Sequence, residues 1–508
     1  MLHIASEEIR SLLLQGRFGL EKEGLRVLAD GSMARTPNPF MDSHHITMDF
    51  SENQTEINTS AEPSAEDAVH ALAAYSRQVR QRLLRQERAE YIWPFSNPPF
   101  LAGEEDIPVA QFTGADAKKT RYREYLARRY GRYKMTFSGI HVNYSFSEEL
   151  LQKEFSLRGH GRFRSFRDSF YLELAEKAAA YGWLLVILTA ASPVLDGSYY
   201  EAAMRGRDVF SGMASVRCSE LGYWNAFVPV FDYTNLQRYA DGIRQYVDDG
   251  LLYSVSELYY PVRVKPRGEN SLAALGEDGI DHIELRMYDL NPFAEAGIET
   301  ADVRFAQLFL VWLASLPRRV ISPAEQVLSV QNFKNAARYD LRSARIVMRE
   351  LTGKAAVNAQ EAALYVLSRM RDFYIQLDGP VPGAAAPETD FGADPGAGNA
   401  AAPEPGTGIA GGPGGAADPE PGFGTVPGAG NSAAPGAGGG LSRQGGFLPA
   451  WVRDVLEYEM DKAAHPEKRY AVRVRRQFSD TFAEKGTRHA RLCSMEPVND
   501  ADGAADVV

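Results

Sequence analysis

Only two cysteines, Cys218 and Cys493, occur in 508 residues, and they stand far apart along the chain. A disulfide framework or a zinc site needs more thiols, so the expected setting is a reducing compartment. A basic field is missing too: 55 Lys and Arg against 66 Asp and Glu leave a net charge of -11. Without a broad positive surface to neutralise phosphates, no nucleic-acid partner is expected. Arg80, Arg82, Arg85 and Arg88 are a local exception, and their helical spacing reads as a solvated helix face. No apolar run reaches the roughly 20 residues of a spanning helix. The longest, 178–192 (AAAYGWLLVILTAAS), follows Glu173, Glu176 and Lys177 and is expected to be a buried core helix. The first residues, MLHIASEEIR, carry acids where a secretory leader has basic and then apolar residues. A cytoplasmic protein without a membrane partner is the expectation. The chain also lacks a serine or cysteine nucleophile elbow and a P-loop lysine motif.

What is present suits a globular protein: 44% hydrophobic and 24% charged residues. The length allows one large domain or two smaller ones. One stretch stands apart. Residues 379–446 are almost wholly Gly, Ala and Pro with scattered acids, and they repeat one phrase loosely (AAAPEPGTG, ADPEPGFG, SAAPGAGGG). Too few large apolar side chains occur there to offset the entropy of ordering, so a disordered insertion is expected. It separates a main domain over 1–378 from a helical segment of the same domain over 447–495. An acidic, loose tail is expected over 496–508. Helix periodicity is clear over 65–90, 166–191, 301–316, 324–351 and 357–376, and again in FLPAWVRDVLEYEMDKA, with Ser64 as an N-cap before the first.

Strands carry the chemistry. Side chains alternate between the two faces of a strand, and five segments place apolar residues on one face and ionisable residues on the other. GLEKEGLRV puts Glu21 and Glu23 together, followed by an Asp30-Gly31 turn signal. MTFSGIHVNYSF opposes His141 and Asn143 to Ile140, Val142, Tyr144 and Phe146. HIELRMYDLNPF opposes His282, Glu284 and Arg286 to Ile283, Leu285 and Met287; YPVRVKPR opposes Arg263 and Lys265 to Val262 and Val264. SVRCSELGY opposes Arg217 to Val216 and Cys218. Singly, each reads as an amphipathic strand with its polar face in water. Together their inventory of acids, basic pairs and a His-x-Asn suits a site where metal ions meet anionic groups.

ITMDFSENQTEINTS adds Asp49 at the end of a short strand and Glu56 seven residues on. Convergence of Glu21, Glu23, Asp49, Glu56 and Glu284 would carry a heavy repulsion. Two such charges about 4 Å apart interact by about 4 kcal/mol at an effective dielectric of about 20. The acids would have to take up protons or bind cations, and an oxygen-rich site prefers magnesium or manganese to zinc. Spacing alone leaves open that they are dispersed over the fold.

GLEKEGLRV, ITMDFSENQTEI, YREYLARRYG followed by SGIHVN, VRCSELGY, LYYPVRVKP and IELRMYDLNPF, in this order, resemble the motifs of the bacterial-type glutamate–cysteine ligases. The likeness extends to the stand-alone enzymes and to the N-terminal half of bifunctional glutathione synthetases, over roughly residues 15–300. It implies an α+β fold related to glutamine synthetase, in which a curved, mostly antiparallel sheet forms a funnel with helices packed outside. It implies ATP as co-substrate and magnesium (manganese being possible) held by Glu21, Glu23, Asp49, Glu56 and Glu284, with His141 completing the set. It implies a cysteine pocket of Tyr122, Tyr223 and Tyr259 with Phe50 nearby, and a catalytic set of Arg286, Arg217 and Glu284. Arg217 matches the arginine that engages substrate carboxylate and Arg286 the one beside the transferred phosphoryl group. Arg263 and Lys265 are assigned to the nucleotide phosphates from the strand pattern.

The implied reaction joins the γ-carboxyl of glutamate to the amine of cysteine through γ-glutamyl phosphate, the first step of glutathione biosynthesis. Such a mechanism needs no covalent nucleophile from the protein. Substrates are then small molecules, and the oligomeric state stays open. The chain stops where a bifunctional enzyme would continue into an ATP-grasp domain, so glycine addition is not expected. Two other readings stand beside this one: a ligase of the same fold with another acceptor amine, and a non-catalytic protein that retains the fold.

Overall fold

In the computed structural model, which describes residues 2–158, 160–201, 208–348, 356–379 and 447–478 with Gly486, Ala490 and Arg491, the strand alternation builds one main sheet. Its strands are β1 (Gly16–Leu28), β2 (Ile46–Met48), β3 (Gln54–Asn58), β4 (Glu90–Ile92), β5 (Ile140–Phe146), β6 (Val262–Lys265) and β7 (His282–Tyr288). The order is β2-β3-β1-β5-β7-β6, with β4 paired to the far end of β1, and every pairing is antiparallel. The sheet runs from one edge to the other without closing on itself.

Register explains why the sheet has two unlike faces. Phe18, Tyr144, Ile283 and Val264 align across four strands, and so do Leu20, Val142, Leu285 and Val262. All eight are at most 5% exposed. They pack with α3 (Phe163–Tyr181), α4 (Trp183–Thr189), α5 (Thr300–Ser315) and α7 (Ala359–Asp378) into one core cluster, which also takes in α1 (Ala65–Leu84), α6 (Pro323–Ala336) and α8 (Ala450–Ala464). Burial at about 25 cal/mol per Å² of apolar surface makes this face the source of register. The other face is left for charge. Beside it lies α2 (Ala117–Tyr130).

Helix limits differ from the periodicity in three places. The first helix begins where Ser64 caps it, accepting from the Asp67 amide, but ends at Leu84 rather than 90. Glu90 instead opens β4, because its carboxylate meets Arg26 of β1 at 2.7 Å with both side chains fully buried. The apolar run expected as one helix over 166–191 breaks at Gly182. A side chain there would meet Phe333 of α6 at 2.6 Å, so glycine permits that close approach. The helix expected over 324–351 stops at Ala336; the chain then turns, and Arg345–Ile346 pairs with Val357–Asn358. The remaining two agree closely, as Thr300–Ser315 and as Ala359–Asp378 with Asn358 as N-cap.

SVRCSELGY is not a strand. The Ser219 amide bonds back to the carbonyls of Ser215 and Val216, so Val216, Arg217 and Cys218 sit in a tight turn. The insertion from residue 380 to 446 and the acidic tail lie outside the described residues. Among the described residues no helix is long and apolar enough to cross a membrane.

Arg26 also donates to the Thr36 and Glu52 carbonyls, at 2.7 and 2.8 Å, while its buried Nε has no hydrogen-bond partner. Removing one member of a buried ion pair leaves the other uncompensated. Glu90→Ala should therefore cost about 3–5 kcal/mol in urea unfolding. A loss below about 1 kcal/mol would show that the pair does not hold β4 to β1.

Candidate active site

The charged face takes its order from the same register. Glu23 lies opposite Glu56, Glu21 opposite His141, and Glu284 opposite both Asn143 and Arg263. Asp49 follows β2, whose Thr47 also lies opposite Glu56. The structure thus brings the acidic residues together, as the convergence argument required. Between β5 and β7 the register shifts by one residue, with Ile140 opposite Tyr288 but Val142 opposite Leu285. The bulge falls at Arg286 and Met287, and such bulges re-aim side chains beside active sites.

His141 sits at the centre, 5% exposed. Its Nδ1 lies 2.9 Å from a Glu21 oxygen and 3.6 Å from Glu284, and its Nε2 lies 3.7 Å from Glu23. Asn143 donates to the other Glu21 oxygen at 3.0 Å, and the Gly139 amide donates to Glu23 at 2.9 Å. A proton on Nδ1 directed at Glu21 leaves Nε2 with a free lone pair. That atom is buried and has no hydrogen-bond partner, and neither has one Glu284 oxygen.

Glu21, His141 and Glu284 each offer a donor atom within 4.8 Å of one another. Orphaned acceptors on two of the three, surrounded by further carboxylates, fit a divalent cation. The oxygen majority fits a hard one, with histidine as the unusual member.

Glu284 is fully buried among cations. Arg286 donates to it at 2.9 Å, and Lys265 and Arg263 approach to 3.6 and 4.0 Å. Burial opposes its ionisation, but Arg286, Lys265 and Arg263 overcome this and hold its carboxyl well below the usual range. Burial likewise opposes ionisation of Glu21, and the His141 hydrogen bond brings it down to about 2. The remaining acids go the other way. Burial and the Asp49 charge raise Glu23 to about 8. Burial, then Asp49, Glu21 and Glu23, raise Glu56 well above its ordinary value. Burial also raises Asp49, against Arg123 and Arg286. For His141, burial and then Arg286 lower the imidazole to about 4, so it is neutral near pH 7.

A cavity of about 420 Å³ opens beside Arg286, walled by Arg217, Tyr223, Tyr259 and Tyr260. The rings of Tyr223 and Tyr259 are 4.1 Å apart. Arg217 reaches this cavity from its turn, not from a strand, and donates to the Tyr288 carbonyl at 3.4 Å. It passes directly over Gly139, where a side-chain carbon would lie 2.3 Å from the guanidinium. Tyr122 and Phe50 belong to the same apolar cluster as Tyr259 without lining the cavity.

A larger cavity of about 640 Å³ lies by Lys22 and α1, where Arg80 is already paired with Glu295 at 3.0 Å.

One site residue had not been singled out. Arg123 of α2 donates to the carbonyls of Asp49 and Met48, and its charge bears on both Asp49 and Glu56. It stands inside YREYLARRYG, but a helix gives no alternation that would reveal which sheet edge it meets.

The chain matches the family model described as glutamate-cysteine ligase over residues 1–249 and 227–336. It is 35% identical over 385 residues to the glutathione biosynthesis bifunctional protein GshAB of Listeria monocytogenes serotype 4b, covering 73% of this chain and 49% of that protein. It is 34% identical over 362 residues to a glutamate–cysteine ligase of Clostridium acetobutylicum, covering 61% of this chain and 74% of that one. The chain therefore spans about half the length of the bifunctional relatives it matches. A crystal structure of a Francisella tularensis glutamate–cysteine ligase in complex with AMP superposes with a TM-score of 0.72 at 18% identity, over 95% of this chain and 89% of that one. A bifunctional glutathione synthetase from Pasteurella multocida superposes with a TM-score of 0.70 at 23% identity, over 96% and 53%. These two likenesses concern the fold.

Proton linkage makes the acid cluster testable. Glu23 titrates near 4.5 when unfolded and about 8 when folded. Between those values the folded state keeps a proton that the unfolded state has lost, so this group lowers stability as pH rises. In chelator, Glu23→Gln should gain stability relative to the parent by on the order of 2 kcal/mol between about pH 5 and about pH 8. A difference independent of pH would contradict the charge assignment.

Proposed function

We propose, for a chain that belongs to the glutamate–cysteine ligase family, that it joins the γ-carboxyl of glutamate to the amine of cysteine with ATP as co-substrate, the first step of glutathione biosynthesis. The observation that carries this reading is the meeting of the acid cluster, its flanking cations and the aromatic cavity at Arg286. In it the charged face of the sheet is one wall of the funnel expected for the fold. Residues 447–495 complete the domain begun over 1–378, and the reaction takes place in the cytoplasm.

A γ-carboxylate oxygen of glutamate attacks the γ-phosphorus of ATP, and ADP leaves. The acceptor nitrogen then attacks the resulting acyl phosphate carbon, loses a proton and expels phosphate. Magnesium, or manganese, would be held by Glu21, Glu23, Asp49, Glu56, Glu284 and His141 and supplies charge that offsets the phosphoryl oxygens. Arg286 sits between the acids and the cavity, where it meets the transferred phosphoryl group. Arg263 and Lys265, on the neighbouring strand, meet the other phosphates. Arg217 orients a substrate carboxylate, and Tyr122, Tyr223, Tyr259 and Phe50 shape the acceptor pocket. The protein's work in this scheme is orientation and charge complementarity, with no covalent intermediate on a side chain.

Purified protein should form ADP from ATP only with glutamate and a divalent cation, and faster with cysteine present. Phosphate release with alanine or ammonia but not with cysteine would assign another acceptor; no release with any amine would favour a non-catalytic role. Glu56 offers the cleaner substitution, because burial and then Asp49, Glu21 and Glu23 raise its carboxyl well above the ordinary value, and glutamine copies the neutral form that this favours. Glu56→Gln should lower kcat by about a hundredfold or more, on the scale of losing one charge-stabilising group. Its thermal midpoint in chelator should stay within about 2 °C of the parent. Full activity would remove Glu56 from the metal site. Glu284→Gln would also abolish turnover, but it strands Arg286, Lys265 and Arg263 together, so stability must be measured alongside.

A further inference from the structure

The aromatic cavity poses a structural problem. Tyr223, from the loop after the Arg217 turn, and Tyr259, from the segment leading into β6, line it, and Tyr122 of α2 packs in the same apolar cluster as Tyr259. No shared helix or strand sets the distance between them. A 4.1 Å separation of the Tyr223 and Tyr259 rings must therefore be held by something else.

We propose that Asn225, Glu257 and Tyr130 are positioning residues that set the spacing of these tyrosines and, through it, the affinity for the acceptor amine. The proposal rests on reading the cavity as the acceptor pocket, and none of the three residues lines that cavity. Asn225, two residues after Tyr223, accepts from the Tyr259 amide at 2.8 Å. Its Nδ2 donates to the Glu257 carbonyl at 2.8 Å and to the Tyr130 hydroxyl at 3.3 Å. One side chain thus ties the Tyr223 loop to the Tyr259 segment and to α2.

Glu257, two residues before Tyr259, closes the triangle. Its carboxylate is fully buried and accepts from the Tyr130 hydroxyl at 2.6 Å and the Tyr253 amide at 2.5 Å. Arg129 supplies the opposite charge at 3.1 Å. Tyr130 lies about two turns beyond Tyr122 on α2, and its ring stands edge-on to Tyr259 at 5.6 Å. A buried carboxylate with every partner in place rigidifies what it joins, and a partly satisfied one does the reverse. Here it joins the three segments that bear the tyrosines.

Tyr130→Phe removes the hydroxyl shared by Asn225 and Glu257 and keeps the ring. Asn225→Ala removes the bridge itself. In the full chain, each should raise the acceptor KM about fivefold, the size of one net hydrogen bond. KM for glutamate and ATP, and kcat, should stay within about twofold. The double variant should add less than the product of the singles, since one network is broken in both. Amide hydrogen exchange supplies a reading that does not need turnover: residues 223–226 and 257–260 should exchange faster, with β5 and β7 unchanged. An unaltered acceptor KM, or a common rise in all three KM values, would overturn the proposal. If wild type accepts no amine, the acceptor reading falls; unaltered exchange in the variants then overturns the positioning network itself.

Discussion

Repulsion between carboxylates is the constraint on which the charged face of the sheet depends. Glu21 and Glu23 on β1, Asp49 after β2 with Glu56 on β3, and Glu284 on β7 come from three stretches of the chain that the antiparallel sheet makes neighbours. Such a face is tolerable only if the charges are answered, and two different answers are visible. Glu284 and Glu21 stay ionised because Arg286, Lys265, Arg263 and the His141 hydrogen bond outweigh the cost of burial. Glu23, Asp49 and Glu56 are raised by burial, and the Asp49 charge adds to the rise at Glu23 and Glu56. The cluster is therefore divided into two acids held below the ordinary carboxylate range and three raised above it.

Opposite chemistry on the reverse face keeps this arrangement in place. A slip of one residue in β5 would carry Val142 and Tyr144 to the charged side and send His141 and Asn143 into the core. Rows such as Leu20, Val142, Leu285 and Val262 forbid it by burial. Among the described residues of the main sheet, the register shifts at Arg286 and Met287. The shift falls where a single guanidinium must serve both the acid cluster and the neighbouring cavity, since Arg286 bonds Glu284 and also lines the space by Tyr223 and Tyr259.

How much of this was legible depended on whether the signal was local. Alternation in β5, β6 and β7 was readable because one face packs and the other does not, so each segment carried its own evidence. SVRCSELGY alternates in the same way and still forms a turn, since nothing in the pattern shows that the Ser219 amide returns to Ser215. Glu90 continued a helical pattern until a buried partner 64 residues away, Arg26, claimed it for a strand. The triangle of Asn225, Glu257 and Tyr130 had no signal at all, because its members are ordinary residues related only by tertiary contact. Convergence of the acids lay between these cases: the spacing allowed it, the resemblance to a family implied it, and the register of the sheet brought it about.

The same division of charge bears on what the site can accept. Arg286, Lys265 and Arg263 already have an anion to satisfy in Glu284, while His141 Nε2 and one Glu284 oxygen have no hydrogen-bond partner. A lone dication would gain carboxylate oxygens but would be repelled by the three side-chain cations around Glu284. A lone polyphosphate would gain those cations but face the acids. An occupant carrying both signs, phosphate oxygens together with divalent cations, meets each half of the cluster with its complement and opposes the upward shifts of Glu23 and Glu56. In the proposed reaction that occupant is the metal-bound nucleotide, and the arrangement of charges on the sheet is the physical reason its two components belong together.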